Sequence, residues 1–250
     1  MRFALLGDVH ANLPALQAVV AHAKELNVTG FWNIGDFVGY GPNPNEVIDL
    51  LRDINSQSII GNYDQKVLKF PRKAKKWRKK KHLLKYSAFR WAYETLTEDN
   101  REYLASLPTD LELTAVGRSI LLTHASPLSI EEHLTPGTSQ ERFEELAHGV
   151  SADMVVFGHS HRPFVRLIDG VWFVNTGSVG RPDDGDPRSC YAILEITGRD
   201  IIVQHYRLIY DVYRTVDAIR AAHLPEPFAQ MMIQGYNLDD LLERIALEES

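Results

Sequence analysis

Four apolar runs in this chain stop abruptly at a glycine followed by a polar residue. They are Arg2–Leu6 before Gly7-Asp8, Phe31–Ile34 before Gly35-Asp36, Ser58–Ile60 before Gly61-Asn62, and Met154–Phe157 before Gly158-His159. A short run of this kind reads as a buried strand emptying into a loop. Between the first two, Leu13, Leu16, Val19, Val20 and Ala23 recur at helical spacing, with Asn12 as cap and Pro14 in the first turn. A second helix starts at Asn45 and ends near Arg52. The first 65 residues therefore read β-α-β-α-β, with a polar residue at the carboxyl end of each strand. In open α/β sheets that is where ligands collect.

Residues 65–106 read as mostly helical, with Ala88, Trp91, Ala92 and Leu96 on one face. The period then changes to two. Strands are predicted at Leu111–Ala115, Ser119–Thr123, Met154–Phe157, Phe164–Ile168, Val171–Asn175, Tyr191–Ile196 and Ile201–Tyr206. Asp169-Gly170 and Gly198 are hairpin signals. Asp211–Ala222 and Pro227–Leu247 close the chain as helices. The expected fold class is α/β: two mixed sheets packed face to face with helices outside, a four-layer α/β/β/α sandwich. One domain is expected over 1–250, with a basic helical insertion at about 65–106 and C-terminal helices at about 211–247. At 250 residues and 44% hydrophobic the chain can bury a sizeable core and is not a disordered one. Its single cysteine, Cys190, excludes a disulfide framework and a cysteine zinc cluster. No apolar stretch approaches the ~18 residues of a membrane span, and the start MRFALLGDVH is too short in its apolar run for a signal peptide. The chain reads as soluble and cytoplasmic, with no membrane partner and with its oligomeric state open.

The polar residues at the strand ends share one chemistry. Asp8 and His10, Asp36, Asn62, His124 after the run ILLT, and His159 with His161 supply carboxylate, amide and imidazole donors. These suit Mn, Fe, Zn or Ni. On a strand end, residues i and i+2 point the same way, so Asp8 with His10, and His159 with His161, can each reach one ion. Seven donors exceed the needs of one tetrahedral ion. They suit two ions roughly 3.5–4 Å apart that share a carboxylate.

The set GDVH, GDFVG, GNYD, THAS and GHSH resembles the calcineurin-like metallophosphoesterases. VNTGSVGRP with SCYAILE resembles the small bacterial and archaeal phosphodiesterase branch. YDVYRTVDAIRAAHLP and WAYETLTEDNREYLASLP look like its diadenosine-tetraphosphatase-like members. The resemblance runs from Met1 to about Gly235. It implies Asp8, His10, Asp36 and His161 on one metal, and Asp36, Asn62, His124 and His159 on the other, with Asp36 bridging. It implies two divalent or trivalent transition-metal ions, Mn or Fe favoured, and hydrolysis of a phosphodiester or nucleotide phosphoanhydride through a metal-bound hydroxide. Two alternatives share these motifs. A protein phosphatase is disfavoured by the short chain and the third motif. A non-catalytic scaffold is disfavoured because all seven ligand positions are kept.

The third motif departs from the family's Gly-Asn-His-Asp: Tyr63 replaces the histidine that contacts phosphate and protonates the leaving oxygen. A phenol, with an ordinary pKa near 10, donates a hydrogen bond but is a poorer proton donor than imidazolium. Asp36, Asn62, His124 and Tyr63 form the expected catalytic group. Asp64 is either an acceptor that orients a ligand histidine or a helix cap. Asn62, Arg162, Ser178 and Arg181 are expected at the substrate, the last two from a glycine loop, Asn175–Pro182, whose N–H groups suit phosphate oxygens.

Charge is divided unevenly. Arg72–Lys85 holds nine Lys/Arg and no acid, so a net charge of −6 leaves −15 on the rest. Three readings follow. The block docks on the acidic body; it steers a small anionic substrate, a nucleotide or phosphodiester, toward the site just after Asn62; or it binds nucleic acid through phosphates, with Trp77 stacking on a base.

Overall fold

The computed structural model describes residues 1–248. The two C-terminal residues of the expected 1–250 unit lie outside that range. The leading β-α-β-α-β unit comprises β1 (Arg2–Leu6), α1 (Leu13–Glu25), β2 (Gly30–Asn33), α2 (Pro44–Asp53) and β3 (Gln57–Ser58). β1 and β2 pair in parallel, as do β2 and β3. Asn12 caps α1 as expected, its Oδ1 accepting from the Ala15 N–H at 3.3 Å. β3 is shorter than the predicted Ser58–Ile60. Ile59 still bonds Asn33, but the Ile60 N–H turns to the Pro108 carbonyl.

Four helices follow: α3 (Asn62–Leu68), α4 (Phe70–Lys80), α5 (Leu83–Thr95) and α6 (Glu98–Ser106). Then come β4 (Asp110–Ala115), β5 (Arg118–Thr123), α7 (Gln140–His148), β6 (Met154–Phe157), β7 (Phe164–Ile168), β8 (Val171–Asn175), β9 (Ser189–Ile196) and β10 (Ile201–Leu208). Helices α8 (Val212–Ala221), α9 (Glu226–Gln234) and α10 (Leu238–Glu248) complete the described chain. One sheet has the order β10-β9-β1-β2-β3 and the other β4-β5-β6-β8-β7, each mixing parallel and antiparallel pairs.

Side-chain alternation sets the layers. Leu5, Trp32, Ile34, Leu122, Met154, Val156 and Leu194 fill the seam between the sheets. Their strand neighbours Ala4 and Leu6 face α1, α2 and α5, whereas Val155 and Phe157 face α7 through Phe143 and Leu146. This is the expected arrangement of two sheets inside and helices outside.

Two helical details depart from the expectation. α7 is not anticipated by the period-two reading. Its signals are the Ser139 cap, which accepts from the Arg142 N–H, and Phe143, Leu146 and Ala147 at helical spacing. The predicted closing helix Pro227–Leu247 is two helices. Gly235 ends α9 in the left-handed conformation, and Asn237 accepts from the Asp240 N–H to open α10. That break swings the start of α10 over the carboxyl ends of the strands, beside the cavity described next.

Candidate metal centre

The loops after β1, β2, β5 and β6, with the first turn of α3, converge on one buried point. Asp8, His10, Asp36, Asn62, His124 and His161 are all buried. Asp8, His10 and His161 place one donor atom each within 4.8 Å of one another, and so do Asp8, Asp36 and His124. His161 Nε2 lies 3.3 Å from Asp8 Oδ1, His10 Nε2 3.8 Å from Asp36 Oδ2, and His124 Nε2 3.7 Å from Asp36 Oδ1. His159 stands beside this core, its ring 5.2 Å from that of His124.

The local route to this geometry differs from the strand-end argument. β1 ends at Leu6 and β6 at Phe157, so neither Asp-X-His nor His-X-His is extended. Instead Asp8, His10, Asp36, His159 and His161 all have φ between 48° and 63°, the left-handed region that non-glycine residues rarely occupy. Such backbone costs roughly 1–3 kcal/mol per residue and persists only where its surroundings enforce it. Here the enforcement is visible. Asp64 lies in the first turn of α3, and its carboxylate accepts from the N–H groups of Asp36 (2.9 Å), Gly61 (2.9 Å) and Val38 (3.2 Å). It therefore clamps the Asp36 loop and, through the Gly61 N–H, caps the start of α3 from its third position; it makes no hydrogen bond to a histidine. The glycines make room for the carboxylates. A Cβ at Gly61 would sit 2.1 Å from Asp36 Oδ1, and one at Gly158 would sit 2.4 Å from Asp8 Oδ2.

The donor chemistry fits metal ions. Three imidazoles turn Nε2 inward and anchor Nδ1 on a backbone carbonyl: His10 on Val38 (3.2 Å), His124 on Ile34 (2.8 Å) and His161 on Arg181 (2.7 Å). That bond fixes the tautomer that leaves Nε2 as a lone pair. The His10 and His161 Nε2 atoms face each other at 3.3 Å. Asp8 Oδ1, Asn62 Oδ1 and His124 Nε2 are buried without hydrogen-bond partners, a costly state that a shared cation relieves. Burial, then the charges of Arg181 and His161, hold His10 well below its ordinary pKa. Burial and His124 bring His159 down to about 3, so both stay neutral and able to ligate. Burial and the Asp8 charge push Asp36 up to about 8. Burial also works against ionised Asp8, but His161, 3.3 Å from its Oδ1, is the main group that outweighs it and holds that carboxyl below the usual range.

A cavity of about 280 Å³ opens onto this point, lined among others by Tyr40, Tyr63, His133, His159, Arg181 and Asp183. Lys85 and Asn237–Asp240 at the head of α10 form its outer wall. Arg181 lines the cavity, with Nη2 3.5 Å from His161 Nε2 and its Nε buried without a partner. Tyr63 also lines it, its hydroxyl bonded to that of Tyr40 at 2.8 Å. Burial and Tyr40 push the Tyr63 phenol well above its ordinary pKa.

Two expected substrate residues are placed otherwise. The Ser178 hydroxyl donates to the Asp8 carbonyl (2.8 Å) and accepts from the Arg181 N–H (2.9 Å), so it braces the Asp8 loop. The N–H groups of Gly177, Val179 and Gly180 are likewise spent on Asn175, Gly7 and Asp8, which leaves no anion nest there. Arg162 does not line the cavity; it bonds the Asp183 carbonyl at 3.2 Å and pairs with its carboxylate at 3.6 Å. His133 was missed. It sits midway along the long loop between β5 and α7, away from the strand end, and its ring is 5.8 Å from that of His159.

The chain is similar to known proteins over most of its length. Residues 1–199 match the calcineurin-like phosphoesterase superfamily domain. The uncharacterized protein MJ0912 of Methanocaldococcus jannaschii is 31% identical over 251 residues, covering 93% of this chain and 97% of its own. The crystal structure of PH1004 from Pyrococcus horikoshii OT3 superposes with a TM-score of 0.86 at 23% identity, over 94% of this chain and 98% of that one. A metallophosphoesterase from Sphaerobacter thermophilus does so at 0.76 and 28% identity, over 94% and 100%. No helix among the described residues is long and apolar enough to cross a membrane. With residues 1–199, four-fifths of its length, matched to that domain, this chain belongs to the calcineurin-like phosphoesterase superfamily.

Proposed function

We propose that the protein hydrolyses a phosphodiester or a nucleotide phosphoanhydride at a centre of two transition-metal ions, on a small anionic substrate. The observation that carries this reading is the set of three inward Nε2 atoms around two buried carboxylates, each imidazole fixed through Nδ1. Asp8, His10, Asp36 and His161 would hold one ion, and Asp36, Asn62, His124 and His159 the other. Such a pair supplies a water-derived nucleophile at neutral pH and positive charge for the phosphoryl oxygens.

The protein's own groups divide the remaining work. Arg181 is a planar fork, buried at the cavity wall, suited to two oxygens of one phosphate. Tyr63 keeps its proton, so it serves as a hydrogen-bond donor and not as an acid. Without an imidazolium at that position, the leaving group must depart as an anion of low basicity. A nucleoside phosphate or an aryl oxide does so; a sugar alkoxide does not.

Metal analysis followed by turnover of bis-p-nitrophenyl phosphate and dinucleoside polyphosphates with Mn²⁺ tests the reading. Hydrolysis of at least one is expected. Asp36→Ala should lower kcat/KM by a hundredfold or more, since even groups that only support a ligand are worth ~10–100-fold. Full activity in that variant, or inactivity of the loaded protein on all these substrates, would overturn it.

A further inference from the structure

We infer that α4 is a docking surface for single-stranded nucleic acid beside the metal cavity. Arg72, Lys73, Lys75, Lys76, Arg78, Lys79 and Lys80 are all exposed. Among the described residues none of these seven pairs with an acid; from the whole block only Lys85 does, with Asp239 at 2.6 Å. Docking on the acidic body is therefore not how the block is arranged. Like charges at i,i+4, such as Lys75 with Lys79, oppose a helix. The fold overrides that cost from the other face. Phe70 and Trp77 anchor α4, with Phe70 5.4 Å from Tyr86 and Trp77 5.4 Å from Phe89 between ring centres. Seven cations are thus held on ~16 Å of rigid helix with no internal counter-charge.

The surface carries more than charge. Ala74, Lys75, Arg78, Lys79 and Tyr86 line a groove between α4 and α5. Trp77 is packed inward and does not line the groove; Tyr86, half-buried against Phe70 on one side, lines it together with Lys75, Arg78 and Lys79. Cations that track a backbone next to an aromatic ring are what sequence-tolerant binding of single strands requires. An anionic membrane fits less well. The apolar residues of α4 face inward, and Leu83 is the one large apolar side chain of α4 and α5 left exposed. Between α4 and the cavity, Lys81 lies over the Trp77 and Phe89 rings, and Lys85, paired with Asp239, lines the cavity wall.

Fluorescence anisotropy on the full-length, Mn²⁺-loaded protein tests this. The probe is a labelled oligonucleotide of about 20 nucleotides, longer than a ~4–16-nucleotide site, beside its uncharged methylphosphonate analogue. The charged strand should bind and the neutral one should not. With three or four phosphate contacts, log K should fall against log salt with a slope of about −2 to −3. Combining Lys75→Gln, Arg78→Gln and Lys79→Gln should weaken binding at least ~tenfold at about 50 mM salt and flatten the slope by about 2. Hydrolysis of bis-p-nitrophenyl phosphate should be unchanged in that variant. Tyr86→Leu should weaken binding about fivefold or more with the slope intact. Absence of salt-dependent binding, equal binding by the triple variant, or binding to phosphatidylserine vesicles without binding to the strand would overturn the inference. Strand binding without any diester hydrolysis would support it and count against the proposed function alone.

Discussion

A phenol at position 63 decides which leaving groups the cavity can serve, because it sits where a proton would have to be given. Tyr63 hydrogen-bonds the Tyr40 hydroxyl and packs T-shaped with the His10 ring, 5.3 Å between ring centres, so it is positioned by two neighbours. Tyr63→Phe should leave turnover of a p-nitrophenyl diester within about threefold, since one neutral hydrogen bond is worth ~0.5–1.5 kcal/mol. Tyr63→His should raise turnover of alkyl monoesters relative to aryl diesters, because imidazolium can protonate an alkoxide. Steady-state kinetics on the two substrate classes measures both effects; an unchanged ratio in the histidine variant refutes the leaving-group argument. At this scale the sequence was informative where residue type alone fixes chemistry. Asp8, Asp36 and the histidines declare themselves as donors. Ser178 and Arg162 did not reveal their roles, since a hydroxyl or a guanidinium serves scaffold and substrate equally well. Which one applies depends on partners some 170 residues away for Ser178 and 21 for Arg162.

Loops and helix starts, more than strands, give the centre its shape. The Gly-polar steps that mark the strand ends are close-packing devices. Gly61 and Gly158 each lie against a carboxylate from a different loop. Gly61→Ala or Gly158→Ala should therefore displace Asp36 or Asp8. Strain of this kind costs about 1–3 kcal/mol of stability, and misplacing a ligand should cost ~10–100-fold in metal affinity. Chemical denaturation and metal titration read the two effects separately, and far-UV circular dichroism should stay native. Unaltered metal affinity in both variants would contradict this account. The same packing explains what the sequence hid. A left-handed Asp or His looks like any other residue in one dimension, so the Asp-X-His spacing suggested a strand end where the chain in fact coils. α7 was hidden for a different reason: nine residues with three apolar positions give little periodic signal. The break at Gly235 was masked by apolar spacing that continues on both sides of it.

Across the whole molecule, the two sheets bring donors from Asp8 to His161 to one buried point, and the charge that gathers there links fold stability to metal. Without a cation, Asp36 holds its proton up to about pH 8 and Asp64, raised by burial and by Asp36, up to about 7. An unfolded chain releases those protons near pH 3.8, the ordinary value for an aspartate. As pH rises between these limits the unfolded state binds fewer protons than the folded one, so these groups lower stability. His10 and His159 act in the opposite sense. They are neutral when folded but protonated below about 6.5 when unfolded, so they add stability as pH rises to that value and nothing beyond it. From about pH 6.5 to 8 only the carboxylates remain, and the metal-free protein should lose stability across that window. Bound cations ionise the carboxylates and remove the penalty, and their affinity grows as competing protons leave. Thermal melts at pH 6.5 and 8 should therefore show Tm falling with pH in EDTA, and holding or rising with Mn²⁺. The gap between the two curves should be wider at the higher pH. A gap that narrows toward pH 8 would mean that Asp36 is not where the cations bind.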